Sequence, residues 1–420
     1  MKVFKFGGAS VNSVERIQKV AAILKSFSGE KLVVVISAMG KTTNALEKVA
    51  EAFFHERKDE ALQLFQAIRD HHIQTAKYLL VTTFNETENQ LNDFFTEAEW
   101  LLHDKPVKSF DYYYDQLVCT GELMSSSIVC SFLKESGIAA SWIDVRDIFR
   151  TDDNFRDATI EWDFTLQKVT THILPLLHSN KVVITQGFIG STDENESTTL
   201  GREGSDYTAA VFANMLNAES LTIWKDVQGV MNADPKDFPE AQYLPALSYE
   251  EVIEMAYYGA QVIHPKTIKP LHNKNIALHV KCFLDKELPG TIIQGNPVRN
   301  LPPIIVLKKS QVLLHLRSTD FSFVGEKPVA ELYHLFEELK IKPNLIQTGA
   351  VSIQLCLDDH TDKIEKLAIA AAVTFDVELE KGLTLITIRH DDGTVLSKVM
   401  GTKKPEMMQQ VAQTVQVLVR

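Results

Sequence analysis

Lys5-Phe6-Gly7-Gly8-Ala9-Ser10 sets a cation at the end of an apolar run, with two glycines directly after it. Backbone N–H groups without side chains around them can approach a phosphate there while Lys5 neutralises its charge; a tight strand-to-helix turn with a solvated lysine is the plainer alternative. Gly40-Lys41-Thr42 ends in the letters of a P-loop, but the glycine which that motif needs five residues earlier is Val35, so the match fails. Ser37, Thr42 and Thr43 still carry hydroxyls past an apolar run, where they could bond a ligand or cap the helix that begins near Asn44. In Cys119-Thr120-Gly121-Glu122 a carboxylate follows a glycine and precedes an apolar, serine-rich helix. Glu122 could pair with a substrate ammonium group or sit against that helix's N-terminus.

The densest group is Thr199-Leu200-Gly201-Arg202-Glu203-Gly204-Ser205-Asp206, ahead of an apolar helix from about residue 207 to 216. Its glycines free backbone amides, Arg202 can grip a carboxylate through two parallel N–H bonds, and Asp206 falls in the first helical turn. Capping alone would explain Asp206, but a capping turn requires no arginine. Trp224-Lys225-Asp226, continuing through Met231 to Lys236, is a cationic turn that could hold nucleotide phosphates or face solvent. Gly259-Ala260-Gln261-Val262-Ile263-His264-Pro265 is a further turn before a helix, and a histidine before proline reads as structural.

Holding these groups calls for a layered α/β frame. Apolar, β-branched runs at 3–6, 31–36, 139–143, 182–189, 221–224 and 276–280 read as strands that alternate with helical spacing, which implies a mostly parallel sheet. Residues 44–105 read as several helices. Gly290, Gly295, Pro297, Pro302 and Pro303 mark a composition shift, so the boundaries expected are a first domain over 1–295, a linker over 296–303 and a second module over 304–420. In that module strands are expected at 304–316, 351–357 and 383–389 and helices at 328–340 and 361–372, a split βαβ plan.

The chain has 420 residues, with 43 Lys plus Arg against 55 Asp plus Glu and a net charge of -12, a poor surface for gripping a nucleic-acid backbone. Hydrophobic residues are 45% and charged ones 23%, a globular balance. Cys119, Cys130, Cys282 and Cys356 lack zinc or disulfide spacing and read as reduced thiols. With no long apolar run, the expectation is a soluble, cytoplasmic protein with no membrane partner.

Taken in order and spacing, KFGGAS, ISAMGKTTN, TGE, GREGSDYTA, WKDVQGVMNADP and YYGAQVIHPKT resemble the aspartate kinase family of the amino-acid kinase superfamily over residues 1 to about 295. Residues 304–420 resemble that family's ACT regulatory domains more weakly, through Ile341-Lys-Pro-Asn344-Leu-Ile-Gln-Thr348. The resemblance implies a three-layer αβα, carbamate kinase-like domain followed by a ferredoxin-like βαββαβ ACT region in tandem, its second unit truncated. It implies transfer of the γ-phosphoryl group of ATP, with Mg2+, to the β-carboxylate of L-aspartate, giving 4-phospho-L-aspartate at the entry to lysine, threonine and methionine synthesis. A homodimer or higher homo-oligomer through the ACT region is implied as well. Carried over by motif, Lys5 would sit on the transferring phosphoryl group and Asp206 would orient Lys5 and the phosphates. Phe6, Gly7, Gly8, Ser37, Lys225, Asp226, Met231, Lys236 and Gln261 would lie on the ATP side; Thr43, Glu122, Arg202, Gly204 and Ser205 would hold aspartate, with no dedicated protein ligand for the metal.

The chain departs from the family pattern at Ala9, Glu203 and Lys225, where threonine, glycine and threonine are usual, and at Gln261, where lysine is usual. A cation lost at Gln261 and one gained at Lys225 would offset each other beside the triphosphate. Asn344 replaces an aspartate of the lysine-sensitive members, and an amide offers an effector ammonium no charge-assisted bond, so weak or absent lysine inhibition is expected. A chain of this kind that binds amino acid and nucleotide without turnover, as a sensor, is the alternative.

Overall fold

The computed structural model describes residues 1–179, 181–320 and 322–420. Two compact units emerge: one holds Met1–Val230, Tyr243–Ile253 and Val262–Val298, the other Met231–Gln242, Glu254–Gln261 and Arg299–Arg420. The second unit thus begins near the proline-rich stretch but also takes up two segments from before it. Asn232 explains one of them, since its carbonyl accepts the Ile305 N–H at 2.7 Å and its side-chain amide donates to Pro303 O at 2.8 Å. Glu254 explains the other through an ion pair with Arg389 at 2.7 Å.

The first unit is built on an eight-stranded sheet: β1 (Lys2–Phe6), β2 (Leu32–Ile36), β3 (Ala140–Trp142), β4 (Val182–Gln186), β5 (Ser220–Lys225), β6 (Ala246–Ser248), β7 (Ala277–Cys282) and β8 (Thr291–Gln294), in the order β6-β8-β7-β5-β1-β2-β4-β3. Its pairings are parallel except β7 with β8. Val33, Val34 and Val35 of β2 are all buried, as a strand covered on both faces demands. Around the sheet lie α1 (Val14–Lys25), α2 (Thr42–Phe54), α3 (Lys58–Leu79), α4 (Phe84–His103), α5 (Phe110–Glu135), α6 (Gly204–Met215) and α7 (Pro265–His272), giving the αβα layering. α5 is the one helix among the described residues long and apolar enough to cross a membrane, and 89% of its apolar window is buried inside the protein.

The expected strand over 182–189 ends at Gln186. Phe188 takes a φ of 71°, a left-handed turn that breaks it, and Ile189–Ser191 pairs separately with Ser197–Thr199. All four cysteines are free and buried.

The second unit carries a six-stranded antiparallel sheet from β9 (Ile304–Ser318), β10 (Leu345–Thr348), β11 (Ser352–Asp358), β12 (Phe375–Arg389), β13 (Pro405–Val411) and β14 (Thr414–Val419), in the order β10-β11-β9-β12-β14-β13. With α8 (Glu326–Glu338) and α9 (Thr361–Ala371) this gives a βαββαβ run consistent with ACT domains. The expected strand at 383–389 is the end of the 15-residue β12, whose pairing with β9 shifts register between Lys308 and Gln311 and again before Leu313. A short helix, α10 (Val395–Met400), and β10 and β13 carry too little periodicity to be legible in the sequence.

Candidate active site

Register builds the site. In the sheet Phe6 stands level with Ile36 on β2 and with Trp224 on β5, so the loops after these strands leave together from the carboxyl ends of parallel neighbours. The Ser37 N–H donates to Phe6 O at 3.1 Å and the Gly40 N–H to Gly8 O at 3.1 Å, which brings the two loops face to face. Gly8 is required by that approach: a Cβ on it would lie 2.6 Å from Ala38 O and 2.9 Å from Gly40 O.

A cavity of about 420 Å³ opens above these ends. Of the residues singled out in the sequence, Lys5, Gly7, Gly8, Ser37, Thr43, Glu122, Gly204, Ser205, Asp206, Lys225 and Asp226 line it. Phe6 does not: its ring is buried and stacked on Trp224, centroids 5.9 Å apart and 5° from parallel. Arg202 stands exposed one residue outside the lining. Met231, Lys236 and Gln261 belong to the second unit.

The Lys5 ammonium lies 2.6 Å from Asp206 Oδ1, with the side chains 12% and 4% exposed. Capping is therefore not what Asp206 does; the residue preceding α6 is Glu203, and it makes no side-chain cap bond. Burial works to raise the Asp206 pKa, yet the charges of Lys5 and Lys225 and the bond from Lys5 hold it below the usual carboxylate value. The pocket therefore keeps an ionised carboxylate clamped to an ammonium group.

Glu122 behaves in the opposite way. Rather than opening a helix, it lies in the middle of α5, away from that helix's own N-terminus. Gly121 does not break that helix; it lets α5 approach the loop and α2, since a Cβ there would lie 3.0 Å from Leu46 Cδ1 and 3.1 Å from Thr42 Cγ2. Ser125 adds a bond to Ser37 O at 2.8 Å. Burial pushes the Glu122 carboxyl up to about 8, against the pull of the Ala38 N–H and the Lys5 charge. Its Oε2 is buried without a partner. A buried acceptor of this kind, at the wall of a cavity, fits an ammonium ligand. Nor do the hydroxyls after β2 cap α2 as considered from the sequence: Thr42 Oγ1 donates to Met39 O at 2.6 Å and the helix makes no side-chain cap bond.

The turn before α6 places Glu203 in the left-handed region, φ 53° and ψ 28°, where a side chain costs on the order of 1 kcal/mol. Gly204 follows because Phe188 is close, with a Cβ there meeting Phe188 Cδ2 at 2.7 Å. Glu203, Phe188 and Trp224 also line the cavity; Phe188 carries no motif that points there, and it sits at a turn with a φ of 71°. His264 caps α7 by accepting the Lys266 N–H, the structural role its position before proline suggested.

An ammonium-carboxylate pair, glycine-lined loops and a second carboxyl group with one unpartnered oxygen in one cavity suit phosphoryl transfer to a small zwitterion, where alignment and charge neutralisation are the catalyst's main tasks. The sequence model of the amino acid kinase family matches residues 1–282. The lysine-sensitive aspartokinase 3 of Escherichia coli (strain K12) is 33% identical over 413 residues, 96% of this chain and 89% of that protein. Aspartokinase 1, chloroplastic, of Arabidopsis thaliana is 33% identical over 415 residues, 92% of this chain and 70% of that protein. The fold superposes on E. coli aspartokinase III in complex with aspartate and ADP with a TM-score of 0.83 at 30% identity, covering 100% of this chain and 96% of that one.

Proposed function

The chain belongs to the amino acid kinase family and is an aspartate kinase, and from that premise we propose which of its groups perform the transfer. Lys5 neutralises the γ-phosphoryl group of ATP as it moves to the β-carboxylate of L-aspartate, and Asp206 keeps the ammonium of Lys5 aimed at it. The N–H groups of the Gly7-Gly8 turn hold phosphate oxygens, while Lys225 and Asp226 serve the nucleotide side. Glu122 takes the aspartate ammonium group, with Thr43, Gly204 and Ser205 completing the acceptor's pocket and Arg202 reaching in from the exposed turn to its carboxylate. Phe6 contributes its backbone, and Met231, Lys236 and Gln261 remain assigned to ATP through their motifs alone.

Among the described residues no group of three or more His, Cys, Asp or Glu could hold a metal ion. That donor set fits a Mg2+ carried largely by phosphate oxygens and water, with the ionised Asp206 as the protein oxygen available to it. Such an ion would spread the charge of the phosphates.

The observation that carries the assignment is the unpartnered Glu122 Oε2 in the same cavity as the Lys5–Asp206 pair. Trapping the acyl phosphate with hydroxylamine tests it: hydroxamate should form with L-aspartate and Mg-ATP, and not with L-glutamate. Lys5→Ala should lower kcat about 10³-fold with little change in ATP affinity. ATP binding without product from either acidic amino acid would instead favour a sensor. The six-stranded sheet of the second unit is open at both edges, β10 and β13, and an open edge supports a homodimer formed by joining sheet edges, which light scattering would detect as twice the chain mass.

A further inference from the structure

Two of the departures from the family pattern, Glu203 and Lys225, meet the same short turn. Glu203 Oε2 accepts the backbone N–H of His264 at 2.9 Å. Lys225 Nζ donates to the carbonyl of Val262 at 2.7 Å. Both residues line the transfer cavity, whereas Val262 and His264 do not. The turn therefore donates one bond to an acidic side chain on the loop before α6 and accepts one from a basic side chain at the carboxyl end of β5. Lys266 supplies a third tie outside the pocket, to Asp157. A carboxylate at the rim of a pocket that takes a polyphosphate and a dicarboxylate of net negative charge works against binding by charge alone, and a side chain held at φ 53° works against local backbone preference. A bond that positions the rim gives both features a reason.

We propose that Glu203 and Lys225 are positioning residues that tie the Val262–Lys266 turn to the loop before α6 and to the end of β5, at the transfer pocket, and so hold its mouth in the geometry that binds ATP. The inference rests on the aspartate kinase reading only for its kinetic consequence; the tether itself is a property of the folded chain.

Hydrogen exchange on the full-length protein without substrate tests the tether directly. Peptides spanning residues 258–267 should exchange about tenfold faster in Glu203→Asn and in Lys225→Met, and at the wild-type rate in Glu203→Gln. Asparagine tolerates the left-handed backbone but is too short to reach His264, so it separates loss of the bond from a change in backbone freedom. Glutamine keeps an acceptor oxygen and drops the charge. In steady-state assays Glu203→Asn should raise KM for ATP about tenfold with kcat within twofold, while Glu203→Gln leaves KM unchanged or lower, because repulsion is relieved and the bond kept. Unchanged exchange in Glu203→Asn, or Glu203→Gln exchanging as fast as Glu203→Asn, overturns the tether whatever the activity shows. Faster exchange with an unaltered KM overturns its role in binding while leaving the phosphoryl-transfer assignment untouched.

Discussion

Glu122 and Asp206 are both buried carboxylates in one cavity, and opposite protonation follows from what each touches. Asp206 has Lys5 at 2.6 Å and stays ionised, whereas Glu122 sits at about 8 because desolvation outweighs its single N–H partner and the Lys5 charge. Below pH 8 the carboxyl in the ligand-free protein holds a proton that an ammonium ligand must displace, so aspartate affinity should rise from pH 6 to 8 and level off above. In Glu122→Gln that dependence should vanish and KM for aspartate should rise about 10- to 100-fold, read from KM against pH. The same group sets a stability trend. Its folded pKa lies above the ordinary value of 4.5, so between about 4.5 and 8 the native state holds a proton that the unfolded chain has released, and stability falls as pH rises through that window. Thermal melts of the ligand-free protein should show this slope, and Glu122→Gln should flatten it. The residue types were legible in the motifs, but the contacts were not. The resemblance set Asp206 beside Lys5, but their direct contact comes from the packing of α6 against β1, which no local pattern encodes.

Among the helices, α5 and α4 show how one element positions another. Glu135, at the end of α5, accepts the N–H groups of Val81, Thr82 and Thr83 and the hydroxyls of both threonines, and so fixes the turn that leads into α4. Although partial desolvation opposes it, these bonds bring its pKa down to about 2. The stabilisation is therefore present above the ordinary value of 4.5 and is lost as pH falls toward 2. Glu135→Ala should cost about 1 kcal/mol, the bonds being discounted for solvent around them, and chemical denaturation at pH 7 and pH 3 should show the difference narrowing at the lower pH. Gly121→Ala tests the close packing of α5 on α2. Its Cβ would press on Leu46 and Thr42, so about 1–2 kcal/mol of stability should be lost and KM for aspartate raised through the displaced Glu122, as melts and kinetics would record. From the sequence, Gly121 looked like a helix start, because glycine signals breaks in isolation and packing demands only in three dimensions. Six of the sheet's eight strands were legible as apolar, β-branched runs, while β6 and β8, three and four residues long, and α10, six residues long, offered no period to read.

At the scale of the whole chain, the bonds of Asn344 in the second unit bear on the response to lysine. The Asn344 amide oxygen accepts from Lys308 at 2.7 Å, and its nitrogen donates to Gln311 at 2.6 Å and to Asp358 at 3.1 Å. An amide with these bonds has no free charge for an ammonium group, and the transfer rate should stay within about 20% of its starting value up to roughly millimolar lysine. An inhibition curve saturating below that concentration would contradict it. The layered plan was readable from alternating strand and helix patterns, yet the capture of 231–242 and 254–261 by the second unit was not, since it depends on bonds from Asn232 and Glu254 to residues much later in the chain. The place of β1 has a consequence for how the molecule is made. Lys5 is flanked by Val35 on one side and by Ile223 on the other. During synthesis the nascent strand gains its first neighbour early and waits for its second until the ribosome has passed β5, roughly ten to forty seconds at ordinary elongation rates. The helices of α2 to α5 have time to form first, and the cavity beside Lys5 can close only after them.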